Sequence, residues 1–140
     1  MNAVELAIRQ LKVDEGVAQY MYLCPSGYPT IGVGRRVDRG GRGLHMDEID
    51  LMLENDVNDA IAFLQQTFEQ WDSFADRRKA ALINVVHQVG FRGLLGFKKM
   101  VAAIHAGDWA TAADELLDID MGRKFPDRTM RRSAELRLGV

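Results

Sequence analysis

Apolar residues recur at steps of three and four along most of this chain, and one stretch, Ala18 to Val37, breaks that rhythm. A helical period puts its apolar positions on one face, so a chain patterned this way packs as helices around a shared core. Within the exception, Tyr20, Tyr22, Thr30, Ile31 and Val33 favour extended backbone, while Pro25, Ser26, Gly27 and Pro29 punctuate it as turn residues. The pattern predicts one small β-hairpin in an otherwise helical domain, an α+β class that is mainly α.

Val4, Ala7, Ile8 and Leu11 predict a first helix over Val4 to Val13, stopped by Gly16. The glycine-rich residues 36–43 read as a mobile loop or a truncated further strand. Ile49, Met52, Leu53, Val57, Ile61, Leu64 and Phe68 predict a long amphipathic helix. Ser73 with Asp76 resembles a capping pair opening a buried central helix from Phe74 to Val89, and Gly90, Gly93 and Gly96 are expected to break the chain after it. Shorter helices follow from about Lys98 to Ala106, from Trp109 behind an Asp108 cap to about Asp118, and from about Pro126 onward.

A chain of 140 residues with 47% hydrophobic and 27% charged content has the size and balance of one globular domain, here 1–140, with the β-hairpin lobe at about 16–43. Its single cysteine, Cys24, excludes an internal disulfide and a thiolate metal cluster, and no cofactor or metal is expected. The N-terminal stretch is interrupted by Glu5, Arg9 and Lys12, which excludes a signal peptide core or a membrane span and leads us to expect folding in the cytoplasm without stable membrane association. Net charge is −2, yet Asp47 to Asp76 holds nine acidic residues and no Lys or Arg. Basic residues cluster instead at Arg35, Arg36, Arg39 and Arg42, and again from Arg123 to Arg137. Such clusters attract anionic polymers or serve simply as solvated faces. A nucleic-acid-binding domain is disfavoured by the net acidity and by the scarcity of aromatics in the basic loop.

Three reactive groups fall close together in sequence. Glu15 ends the first helix, Cys24 follows after eight residues, and Thr30 after five more. An isolated glutamate at a helix end is ordinarily a surface carboxylate. Here, however, VDEG at 13–16, TIGVG at 30–34, AALINVVHQVG at 80–90, GLLGF at 93–97, Gly107-Asp108-Trp109 and PDRTMRR at 126–132 together resemble the phage-type lysozymes of glycoside hydrolase family 24. Members of that family share the spacing Glu, eight residues, Asp or Cys, five residues, Thr.

The resemblance implies a lysozyme-like fold with a cleft between the hairpin lobe and the helical bundle, and a muramidase acting on the β-1,4 bond between N-acetylmuramic acid and N-acetylglucosamine. Glu15 would protonate the departing oxygen, and Thr30 would orient water. Cys24 stands where Asp is the commoner residue. At an ordinary thiol pKa only a few per cent is thiolate near neutrality, and a neighbouring carboxylate lowers that fraction. Its role is left among base, nucleophile, water placement and plain packing. The same resemblance makes Gln88 a substrate contact and places Arg128 beside the glutamate as its structural support, while His87, standing where an aromatic is expected, either stacks on sugar as a further substrate contact or simply satisfies its helix. Arg36 and its neighbours would meet anionic peptidoglycan. It further implies a monomeric endolysin held in the host bacterial cytoplasm until a holin opens the membrane, then acting on the cell wall. Because the commoner Asp is absent and Arg35 stands where histidine is common, a non-catalytic wall-binding or virion structural relative is the alternative.

Overall fold

The first helix runs longer than its apolar repeat because both ends are capped. The computed structural model describes residues 1–140, apart from the side chains of Asp120 and Met121. Helix α1 spans Ala3–Glu15. Asn2 accepts from the Glu5 backbone N–H at 2.9 Å while the Glu5 carboxylate accepts from the Asn2 N–H at 3.0 Å, a reciprocal capping box. Gly16, at φ 75°, ends the helix with its N–H on the Lys12 carbonyl and leaves Glu15 as the last helical residue.

Strands β1 (Ala18–Leu23), β2 (Pro29–Gly32) and β3 (Arg35–Arg36) form an antiparallel sheet in that order. The predicted hairpin is present, and residues 35–36 add the short third strand. Tyr22 pairs with Thr30 on one side of β2, and Thr30 pairs with Arg36 on the other. Thr30 thus sits mid-sheet, and only 3% of its surface is exposed. Register shifts between Ala18 and Tyr22, as a bulge does.

Helix α2 follows at Met46–Thr67, then a 3-10 turn at Trp71–Ser73, α3 at Asp76–Gly96, α4 at Lys98–His105, α5 at Trp109–Leu117, α6 at Asp120–Lys124 and α7 at Pro126–Leu138. Two expectations are corrected, the second in part. Ser73 does not cap α3: its hydroxyl donates to the Gln70 carbonyl at 2.6 Å, closing the 3-10 turn that buries Trp71, and α3 opens at Asp76 without a side-chain cap. The glycines break the chain as expected at Gly90, which leaves helical geometry at φ 79° and ψ 171°, and at Gly96, the last residue of α3; Gly93 alone is taken back into helix, beside the fully buried Leu94. The Asp108 cap is as expected, accepting from the Thr111 N–H at 3.1 Å.

The chain divides into two compact units, Met1–Leu51 and Met52–Val140, the division falling within α2. The hydrophobic core belongs to the second: Leu64, Phe68, Leu82, Val85, Leu94, Met100, Ile104, Leu116 and Leu136 are among its fully buried members. Arg78 of α3 donates to the carbonyls of Leu136 and Arg137 at the end of α7 and lies 4.6 Å over the Trp109 ring, so one guanidinium ties three helices. Among the described residues no single helix is long and apolar enough to cross a membrane. Leu82→Ala would leave a cavity in this core, and the expected loss is about 2–5 kcal/mol of stability, read as a lowered urea midpoint at unchanged slope.

Candidate active site

Glu15 is solvent-accessible, but its carboxylate is not free of the fold. It lies against the backbone of Gly34 in the turn between β2 and β3. A methyl at that position would come 2.8 Å from Glu15 Oε2 and 2.9 Å from its carboxyl carbon. Gly34 also has φ +65°, a left-handed backbone that side chains resist. Two independent reasons, conformation and close approach, therefore make this residue a glycine.

Cys24 and Thr30 meet at the base of the hairpin turn. The Cys24 N–H donates to the Tyr28 carbonyl at 2.9 Å, and the Gly27 N–H to the Cys24 carbonyl at 2.7 Å, closing the turn around the half-buried sulfur. The Tyr28 N–H, turned toward that sulfur, holds the thiol below its ordinary range, against partial desolvation. The N–H groups of Ser26 and Gly27 act in the same direction. This reverses the tendency expected for the thiol from sequence, because the turn supplies donors that residue types alone do not reveal. Thr30 donates its hydroxyl proton to the Tyr28 carbonyl at 2.8 Å, so threonine, tyrosine backbone and sulfur form one unit.

The arginine cluster is not uniform. Arg35 pairs with Glu48, and Arg36 grips Asp38 through Nε and Nη2, the latter at 3.0 Å. Each carboxyl is thereby held below its usual range, first by the arginine's hydrogen bond. Arg36 also lies flat on the Tyr28 ring, with its guanidinium carbon 3.4 Å from the ring centroid. Residues 36–43, expected as a mobile loop or a truncated further strand, are the end of the short β3 and a loop that folds over Arg36. Arg42 and Gly43 both donate to its carbonyl, and a methyl on Gly40 or Gly41 would collide with its side chain. A groove of about 760 Å³ runs over this surface, lined by the Ile31–Arg36 turn, the two glycines, Arg42, Leu44 and Glu48. Arg39 and Arg42 are exposed and have no ion-pair partner among the described residues. His45, Asp47 and Glu48 bring ligand atoms within 4.8 Å of one another, but Glu48 already serves Arg35 and the His45 N–H.

His87, Gln88 and Arg128 belong to the second unit. His87 is 49% exposed, with Nδ1 at 4.0 Å from Asp56, and lines a small cavity of about 290 Å³ with Asp56, Asp59 and Phe91. Gln88 is half-buried on α3. Arg128 is committed inside its own unit, where Nε and Nη2 both donate to Asn84 Oδ1 at 3.1 and 2.9 Å. Sequence reasoning missed Asn84, Asp38 and Tyr28. Asn84 left a signal, being the one polar residue between Ala80 and Val86 and lying one helical turn before Gln88.

A thiol whose pKa is depressed in the folded state contributes stability above the ordinary thiol range, and that contribution is lost as pH falls through the folded value. Cys24 should accordingly react with a disulfide reagent at half-maximal rate at a lower pH in the native chain than in urea. Coincident curves would show that the turn does not stabilise the thiolate.

Known proteins resemble this chain along most of its length. The model of the phage lysozyme family matches residues 12–135. Probable T4-type lysozyme 1 of Dictyostelium discoideum is 28% identical over 151 aligned positions, covering 86% of this chain and 87% of that protein. Probable T4-type lysozyme 2 of the same organism is 26% identical, with the same coverage. The pre-baseplate central spike protein Gp5 of Enterobacteria phage T4 is 28% identical over 73% of this chain but only 22% of its own length. With its helical body, its small antiparallel sheet and a family match over nearly its full length, the chain belongs to the phage lysozyme family, glycoside hydrolases that act on peptidoglycan.

Proposed function

We propose that this lysozyme cleaves the β-1,4 bond between N-acetylmuramic acid and N-acetylglucosamine, with Glu15 as general acid and Cys24 as the base that activates water. The observation that carries the reading is the seating of the Glu15 carboxylate against Gly34, in the unit that also holds Cys24 and Thr30. Glu15 gives its proton to the departing glycosidic oxygen as positive charge builds on the sugar. The Cys24 thiolate takes a proton from a water attacking the opposite face, and Thr30 holds the sulfur in place. A thiol held low by backbone donors supplies the anion that an aspartate supplies in other members of the family. Gln88 and His87 bind the glycan, and Arg128 orders the second unit through Asn84.

In this reading the protein works as a monomer on the host wall after a holin lesion releases it from the cytoplasm. The likeness to a spike protein motivates a second setting, in which the same activity travels on a virion. Detection in purified particles distinguishes the two.

Glu15→Gln should lower the rate of peptidoglycan clearing at least about 100-fold without lowering the melting temperature. Gly34→Ala should lower it as well, since the added methyl displaces the carboxylate. A Glu15→Gln variant that clears walls at the parental rate overturns the assignment, and a parent that binds walls without releasing product supports the non-catalytic alternative. The rate should fall on the acid side as Cys24 takes up a proton. Cys24→Asp should move that acid limb toward the carboxylate range, about pH 4, while Cys24→Ala should lower the rate across the whole profile.

A further inference from the structure

Arg36 stands out among the basic residues because its side chain is used up inside the fold. Three groups converge on it. The Tyr28 ring lies under its guanidinium at 3.4 Å, Asp38 accepts from two of its nitrogens, and Gly40 and Gly41 pass so close that neither tolerates a side chain. An arginine held this way is a poor candidate for direct contact with a polymer in solution, since its fork and its face are both occupied.

Tyr28 shows what the arrangement does. The tyrosine is 42% exposed and sits at the end of the hairpin turn, with the Arg36 guanidinium over its ring. The Tyr28 carbonyl accepts from both the Cys24 N–H and the Thr30 hydroxyl. Ordering Tyr28 therefore orders the two residues that flank the sulfur. On the other side of the sheet, Arg36 pairs directly with Thr30 in the β2–β3 register, so the clamp reaches the same site through the ladder as well as through the ring.

We propose that Arg36 is a positioning residue of the active site: gripped by Asp38 and lying on the Tyr28 ring, it fixes the turn from Cys24 to Tyr28 and so the place of the sulfur beside Thr30. The groups that act on the guanidinium are Asp38 first, then Tyr28 and Cys24. The sulfur itself is held chiefly by the N–H of Tyr28. The proposal rests on Cys24 being the group that activates water.

The pH midpoint of Cys24 modification by a disulfide reagent, read on the full chain without substrate, tests the clamp apart from lysis. Arg36→Met keeps the aliphatic stem but loses the fork, and should raise the midpoint by at least about half a pH unit. It should also lower kcat for peptidoglycan more than it raises KM. Asp38→Asn leaves the arginine in place and should raise the midpoint by less, which keeps the test decisive if Arg36→Met unfolds the hairpin. Tyr28→Phe retains the ring and should keep the parental midpoint, whereas Tyr28→Leu should follow Arg36→Met. Arg36→Lys separates clamp from charge: a parental midpoint in that variant would overturn the clamp. An unmoved midpoint with a raised KM in Arg36→Met would overturn it too, returning Arg36 to substrate contact. A raised midpoint with unchanged kcat would show that the clamp does not serve the reaction, and would count against Cys24 as base while leaving Glu15 untouched.

Discussion

The candidate site depends on a close approach of the Glu15 side chain, at the end of α1, to the backbone of the turn after β2. Glu15 can rest on that turn only because Gly34 has no side chain and adopts a left-handed conformation. Everything else in the first unit supports this geometry. Gly16 turns the chain sharply out of α1, and β2 is held on both edges, so the turn that meets Glu15 has a fixed origin.

The same sheet gives the thiol its character. An exposed cysteine on a flexible loop is protonated at neutral pH and reacts slowly. Here the N–H of Tyr28, and after it that of Ser26, holds the thiol below its ordinary range, and Thr30 is buried beside it on the central strand. Backbone dipoles thereby provide the electrostatic stabilisation that a carboxylate in this position needs less, since it ionises without help. The arginines flanking β3 divide in role for a similar reason. Arg35 and Arg36 find acidic partners within the fold, whereas Arg39 and Arg42 keep their charge exposed to solvent.

Much of the fold was legible because periodicity is a direct consequence of burial. The apolar residues from Ile49 to Phe68 and from Ala81 to Val89 are spaced for helices, and Leu64, Phe68, Leu82, Val85 and Val86 are buried, while Ile49, Met52 and Leu53 at the start of α2 stay exposed. Where local signals were ambiguous, tertiary packing decided. Ser73 has the residue type of a helix cap, yet burial of Trp71 recruits it into a 3-10 turn. Gly93 looks like a breaker, yet it stays helical beside the buried Leu94, whereas Gly90 and Gly96 do interrupt the chain. The short α6 escaped sequence reading altogether, five residues being too few to display a period.

Residue identity and spacing alone determined the helical plan, the place of the hairpin, the family and the trio of Glu15, Cys24 and Thr30, because each of these is written in short-range pattern. Tertiary structure alone decided which charges are spent and which are available, and in which direction the thiol is shifted. Those properties depend on partners far apart in the chain, such as Arg35 with Glu48 and Arg128 with Asn84, and on the orientation of backbone N–H groups, which every residue except proline carries and which no residue type announces.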